Sequence, residues 1–397
     1  MRKLLTLILV CIGFIVNSQV TVDLSFNPID TVSSSFLGAR GIVQAQVIQN
    51  DGKILLAGDM TGYNSNQSTT SGRLIRLNAD GSRDFSFGSA IGANNTINAI
   101  AIQNDGKIII GGSFTSYAGI TVNGICRLNS TGSFDPTFNP GLGFAGGSAM
   151  VLAIKIASDG KILVGGIFSS YNTNVAGCIC RINTDGSYDA TFNNAGIGFN
   201  LSSRVRAIDI QADGKILLGG AFNNYNGVTC EELIRINSNG SVDLTFNMSN
   251  VNAGEVLTII TRADNKIWIG GSSFSPASAY AGIWLLNSNG INDVSFSPTT
   301  GVTSSGAIYT ITPISTNKLF IGGNFTTYNG TSRSSMAIIN TDGTLDLSLL
   351  PTNSYPSGSL VKSSNLNASN SIVYSGNFTS SISLRNNNVE QLTAAYY

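Results

Sequence analysis

Seven aspartates occupy one recurring place in the chain: Asp23, Asp84, Asp135, Asp189, Asp243, Asp293 and Asp346, each three residues before a phenylalanine or leucine. Carboxylates at fixed spacing are the groups that bind hard cations or, in pairs, cleave glycosidic bonds. Catalysis would not need seven copies, however, and an aspartate beside a hairpin ordinarily accepts backbone N–H groups where the chain leaves a turn. The repetition therefore assigns these side chains to the scaffold. Five further acids (Asp51, Asp105, Asp159, Asp213, Asp264) mark a first turn and three (Asp80, Asp185, Asp342) a second. Of 22 acids, only Asp30, Asp59, Asp209, Glu231, Glu232, Glu255 and Glu390 remain for any other duty. The absence of histidine removes Ser-His-Asp and Cys-His arrangements and every histidine-ligated metal site. No catalytic residue, metal site or cofactor is assigned.

Tyrosines are the second recurring chemistry. Tyr63, Tyr117, Tyr171, Tyr225 and Tyr328 each stand five residues beyond a repeated glycine, and Tyr280 lies in a longer version of the same loop. Rings flanked by Asn, Ser and Thr would suit contact with a carbohydrate or peptide if they formed an aromatic crown on one face. The competing expectation is that they pack beneath their loops.

The elements that must position these residues follow from a period of 51 to 54 residues. Lys53, Lys107, Lys161, Lys215, Lys266 and Lys318, with Ser371 in the seventh place, each follow a short apolar run and turn, and a glycine comes five residues later in every unit. In the second unit the apolar runs predict four strands: residues 99–103, 107–112, 125–129 and 134–139. Asp-Gly or Asn-Gly pairs join the first two and the last two, as in two-residue type I′ hairpins. Arg76, Arg127, Arg181 and Arg235 of the third strand are periodic with the lysines and are expected to pair with the periodic acids, at about 1 kcal/mol or less each if exposed. The paired glycines fit places where a neighbouring sheet approaches closely.

A four-stranded meander cannot bury both of its faces, so the units must stack on one another. The phase of the chain ends favours a ring over a line. The seventh unit reaches a third strand at Val389–Thr393, while a fourth-strand sequence, Asp23-Leu-Ser-Phe-Asn, stands near the start. The expected fold is thus all-β: a seven-bladed β-propeller of four-stranded antiparallel blades, closed by the N-terminal strand completing the last blade and hiding two sheet edges.

Residues 1–18 read as a signal peptide, with Arg2 and Lys3 before the apolar run 4–16, leaving 19–397 as a single propeller domain. Val10 before Cys11 argues against lipid attachment there. The run is too short and too early for a membrane span, and nothing downstream approaches about 20 uninterrupted apolar residues. Zero net charge and 11% charged residues exclude a basic nucleic-acid surface. A monomer, secreted or held at the outer cell surface, is expected. Cys126, Cys178, Cys180 and Cys230 are expected free and buried, since Cys178 and Cys180 would point to one face of a strand and cannot easily bridge each other.

The units resemble the delta-60 repeat of bacterial secreted proteins: Asp-Gly-Lys-Ile-Leu-Leu-Gly-Gly-x-Phe, then Arg-Ile-Asn-x-Asp-Gly-Ser-x-Asp-x-Thr-Phe-Asn, displayed almost completely by residues 209–247. The layout is also similar to kelch propellers, with Phe26, Phe87, Phe138, Phe192, Phe246 and Phe296 where those carry tryptophan. The resemblance implies an exported propeller with no established chemistry. Three functions compete: a noncatalytic propeller whose loops bind a glycan, a surface polymer or a protein; a polysaccharide-acting enzyme using carboxylates at the central channel; and a purely structural spacer or adhesin module.

Overall fold

The computed structural model describes residues 20–22, 26, 39, 41–63, 73–88, 92–194, 196–200, 202–247, 254–272, 282–303, 306–347, 359–377 and 389–394. Residues 1–18, expected to be a signal peptide, lie outside them, as do Asp23 and Tyr280. Every regular element is a strand, and each sequence unit folds into an antiparallel sheet in the order first, second, third strand. In the second unit these are Ile97–Ile102, Ile108–Gly112 and Ile125–Leu128; in the fourth, Arg204–Ile210, Ile216–Ala221 and Leu233–Ile236. Second strands are buried almost throughout because neighbouring sheets cover both faces, which is why they read as continuous apolar runs such as Ile-Leu-Leu.

Two expectations about the sheets are corrected. The fourth strand shrinks to a single bridge, Leu128↔Phe134 in the second unit and Ile236↔Val242 in the fourth, because Asp135 and Asp243 immediately turn the chain away. The turns are three-residue loops, and not two-residue type I′ turns. Gly52 N donates to Gln49 O, Gln49 N donates to Lys53 O, and only Gly52 is left-handed (φ 81°), giving a type I turn with a glycine bulge. Asp51 favours this form because its carboxylate accepts the Lys53 N–H at 3.1 Å. In the fifth unit Asn265 (φ 62°) takes the glycine's place, as asparagine tolerates that conformation.

Successive sheets stack through their first strands. The close approach is made at the first glycine of each pair: a Cβ on Gly219 would stand 2.5 Å from Val256 Cγ1 of the next unit. First strands touch in the sequence one to seven, and the first unit's strand Val43–Ile48 also packs against the seventh unit's Leu360–Leu366 and Ile372–Asn377. There Gln46 Nε2 donates to Val373 O at 2.7 Å. The N-terminal strand Val20–Val22 pairs antiparallel with Val389–Ala394, Val22 opposite Leu392. That is the register of the Leu128↔Phe134 bridge, lengthened by two residues. The strand therefore precedes Asp23, where the sequence placed it at Asp23–Asn27.

Gly219→Val should strain the junction between the fourth and fifth units by about 1–3 kcal/mol, as overpacked cores do. A urea midpoint equal to the parent's would contradict the close approach described here.

Candidate functional site

The six repeated aspartates among the described residues are structural, each bound to its first-turn lysine, and four of them share a complete set of partners. Asp135 Oδ2 accepts from Lys107 Nζ at 2.8 Å and Arg127 Nε at 2.7 Å, while Oδ1 accepts from Thr137 N and Oγ1. Asp84, Asp189 and Asp243 repeat the pattern with Lys53/Arg76, Lys161/Arg181 and Lys215/Arg235. Each guanidinium also lies over the unit's phenylalanine, from 4.5 Å for Arg76 over Phe87 to 5.1 Å for Arg127 over Phe138. Its Nη1 crosses to the next unit, where Arg127 reaches Thr184 O at 2.6 Å and Arg76 reaches Ser130 O at 2.7 Å.

These are not exposed pairs. Asp135 is 3% accessible and Arg127 7%, so the small values of surface ion pairs do not apply and removing one partner strands a buried charge. Burial pushes the four carboxyls upward, but the lysine, hydroxyl, amide and guanidinium donors outweigh it and hold them well below the usual carboxylate range. In the fifth unit Leu285 replaces the arginine, and Trp268 meets Phe296 edge-on at 4.7 Å. A cleft of about 400 Å³ opens beside it, lined by Ile260, Trp268, Pro313, Leu319 and Thr341 among others.

The aromatic crown is not a surface. Tyr63, Tyr117, Tyr171, Tyr225 and Tyr328 are all 2% exposed or less, and each hydroxyl donates to the carbonyl of its unit's second-turn glycine, from Gly81 to Gly343. The loop entering the first strand crosses them, as Phe144 and Phe199 lie 4.7 and 4.8 Å from Tyr171 and Tyr225. A ring with a hydroxyl that can reach a backbone acceptor is more stable covered than presented. Cys126, Cys178, Cys180 and Cys230 are free and buried, and burial pushes the Cys230 thiol up to about 12.

Residues that do not repeat gather on the first strands. Each carries a β-bulge at the same place, leaving Gln44, Asn98, Leu152, Arg206, Leu257, Tyr309 and Lys362 outside the ladder. All seven are half-buried, and bulges re-aim side chains. Sequence reasoning passed over them because no residue type recurs; the available signal was a variable position following an invariant Val or Ile. In the fourth and seventh units the bulge residue is charged, and Glu255 stands two residues before the bulge of the fifth. Glu255 Oε1 accepts from Arg204 Nε at 2.5 Å and Arg206 Nε at 2.7 Å, and Lys362 Nζ stands 4.1 Å over the Tyr309 ring. Burial would raise the Glu255 carboxyl, yet the two arginines hold it below its ordinary value. Burial, with Arg206 nearby, pushes Lys362 down to about 8.

Asp209 is bound separately, to Lys155 Nζ at 2.6 Å and Thr261 N at 2.7 Å. Thr261 is six residues along the strand from Glu255, about 20 Å at the usual strand rise. These two carboxylates therefore do not make the close pair that glycoside cleavage uses. No cluster of three His, Cys, Asp or Glu suited to a metal occurs among the described residues, and no described helix is long and apolar enough to cross a membrane.

The family described as "Domain of unknown function (DUF5122) beta-propeller" matches residues 49–87, 103–138, 157–192, 211–246 and 314–349, each running from the first turn through the Asp-x-x-Phe segment or its Leu equivalent. The chain is a β-propeller repeat protein. The WD40 β-propeller domain of Doa1 overlays this propeller with a TM-score of 0.56 at 13% identity, covering 96% of this chain and 98% of that one. The GH74 xyloglucanase of Xanthomonas campestris gives 0.56 at 13% over 87% of this chain and 52% of its own, so the propeller spans about half that enzyme. YCF48 bound to D1 peptide gives 0.51 at 11%, covering 91% and 96%. At such identities the likeness is one of fold. A comparison with curated proteins finds no significant match.

Asp135→Asn should cost about 3–5 kcal/mol in urea unfolding, the usual penalty for breaking a buried pair. The double change Ile109→Trp with Arg127→Leu, copying the fifth unit, should cost less. Because the four carboxyls are depressed in the folded state, their stabilisation is complete above the unfolded value of about 3.9 and is lost as pH falls toward the folded values. Unfolding free energy should therefore decline below about pH 4; a flat profile there would contradict the paired aspartates.

Proposed function

We propose that this is an exported, noncatalytic seven-bladed propeller that holds a glycan, a surface polymer or a protein partner on the first-strand edge of its sheets. One observation carries the reading: the repeated acids, arginines and tyrosines are consumed in holding the units together, whereas the bulged first-strand residues differ from unit to unit and lie outside the ladder. Under this reading that edge lines a central channel. Closure is supported by the packing of the first unit on the seventh and by the pairing of Val20–Val22 with Val389–Ala394. Export is supported by the character of residues 1–18 and by the resemblance to delta-60 repeats. A binding role is favoured over carboxylate catalysis because Glu255 is held ionised between two arginines, and a general acid needs a raised value.

Two measurements test this. Thr21→Cys with Thr393→Cys, directly opposite in the closing pair, should form a cross-link on mild oxidation and raise the melting temperature; failure to cross-link argues against a ring. The mature chain should be retained on cell-envelope polysaccharide or envelope protein without releasing reducing ends, and the double variant Arg206→Ala/Tyr309→Ala should lose retention. Release of reducing ends would replace this reading with the enzymatic one, and retention unaffected by the double variant would remove the first-strand edge from it.

A further inference from the structure

The charged stretch of the first-strand edge has a sign. Arg204, Arg206 and Lys362 supply three positive charges and Glu255 one negative, a surplus of two, while the whole chain is neutral. The cations are not evenly compensated. Both guanidiniums converge on Glu255 Oε1, and Arg204 Nη2 takes Oε2 at 3.2 Å. The remaining N–H groups of Arg206 include the fork that binds a second carboxylate in two places. Lys362 makes no ion pair among the described residues; its partner is the Tyr309 ring. A ring face attracts an ammonium without neutralising it or accepting its three N–H donors.

We infer that the cluster of Arg204, Arg206, Tyr309 and Lys362 binds the carboxylates of an acidic, uronate-bearing glycan. This rests on the binding reading above and narrows its ligand. The arginine fork matches a carboxylate in shape as well as charge. The side chains of Arg204 and Arg206 are 38% and 36% accessible, open to a ligand while still partly shielded from water, which strengthens charge-assisted bonds. A surplus of only two charges is too small for nucleic acid, whose binding rests on many phosphate contacts. It suits a ligand that presents one or two carboxylates to this cluster while the rest of its chain lies along the uncharged bulge residues Gln44, Asn98, Leu152 and Leu257.

Calorimetric titration of the mature chain with oligogalacturonate, a neutral cello-oligosaccharide of equal length, an acidic peptide and inorganic phosphate decides the matter. The uronate should bind, weaken as salt is raised, and lose about tenfold or more in affinity in Lys362→Gln and in Arg206→Gln, as expected for a charged hydrogen bond. Lys362→Arg, which keeps the charge, should restore binding, and Arg262→Gln, a cation paired elsewhere with Asp264, should leave it unchanged. Melting temperatures separate loss of binding from loss of fold. Equal binding of the neutral glycan, tighter binding of the acidic peptide, binding of phosphate alone, or indifference to Lys362→Gln would each overturn the inference. Absence of uronate binding in a chain still retained on envelope material overturns it and leaves the broader reading standing; absence of both removes the two together.

Discussion

One buried carboxylate in each of the first six units holds this architecture together. In four units the aspartate after the second turn gathers a lysine from the first turn and an arginine from the third strand, and that arginine extends to a carbonyl of the following unit. A contact within one sheet thereby fixes the spacing to the next. The main chain repeats the link, as Asn139 N donates to Asp185 O and Asn193 N to Asn239 O. Stacked sheets could slide on apolar faces alone, since hydrophobic contact has no direction. The bridging guanidiniums supply the direction.

The fifth unit shows what such a device is worth. There the arginine is a leucine, the second strand carries Trp268, and the sheet is otherwise like its neighbours. Exchanging a buried charge for well-packed apolar groups is often close to neutral, because the charge had first to be stripped of water. Lys266 still pairs with Asp293, so the loss is confined to the arm that crosses between units. The cleft at that junction lies beside Thr341, one unit on from the other bridged carbonyls in the repeat.

Much of this was legible in the sequence because it recurs. The Asp-Gly-Lys turns, the glycine pairs and the aspartates declared a stack of sheets, and their number gave the scaffold reading of the acids. Strand ends were less legible: Asp135 halts pairing through hydrogen bonds to Thr137, which an apolar pattern running on to Phe138 conceals. The tyrosines left two readings open, and packing beneath the loop is the one that holds for the five described. Their spacing from the glycine was visible, but the carbonyl that each hydroxyl reaches lies in a turn 15 or more residues away, and burial depends on that partner. The first-strand bulges left no residue type to count.

Those bulges have a consequence for how such a molecule can change. The residue at the bulge contributes nothing to strand register, so exchanging it leaves both the pairing on one side and the glycine contact on the other intact. The seven bulge positions can then be rewritten separately, by single-codon changes and without lengthening any connection. A repeat protein built this way can exchange one such side chain for another while its foundations stay as they are.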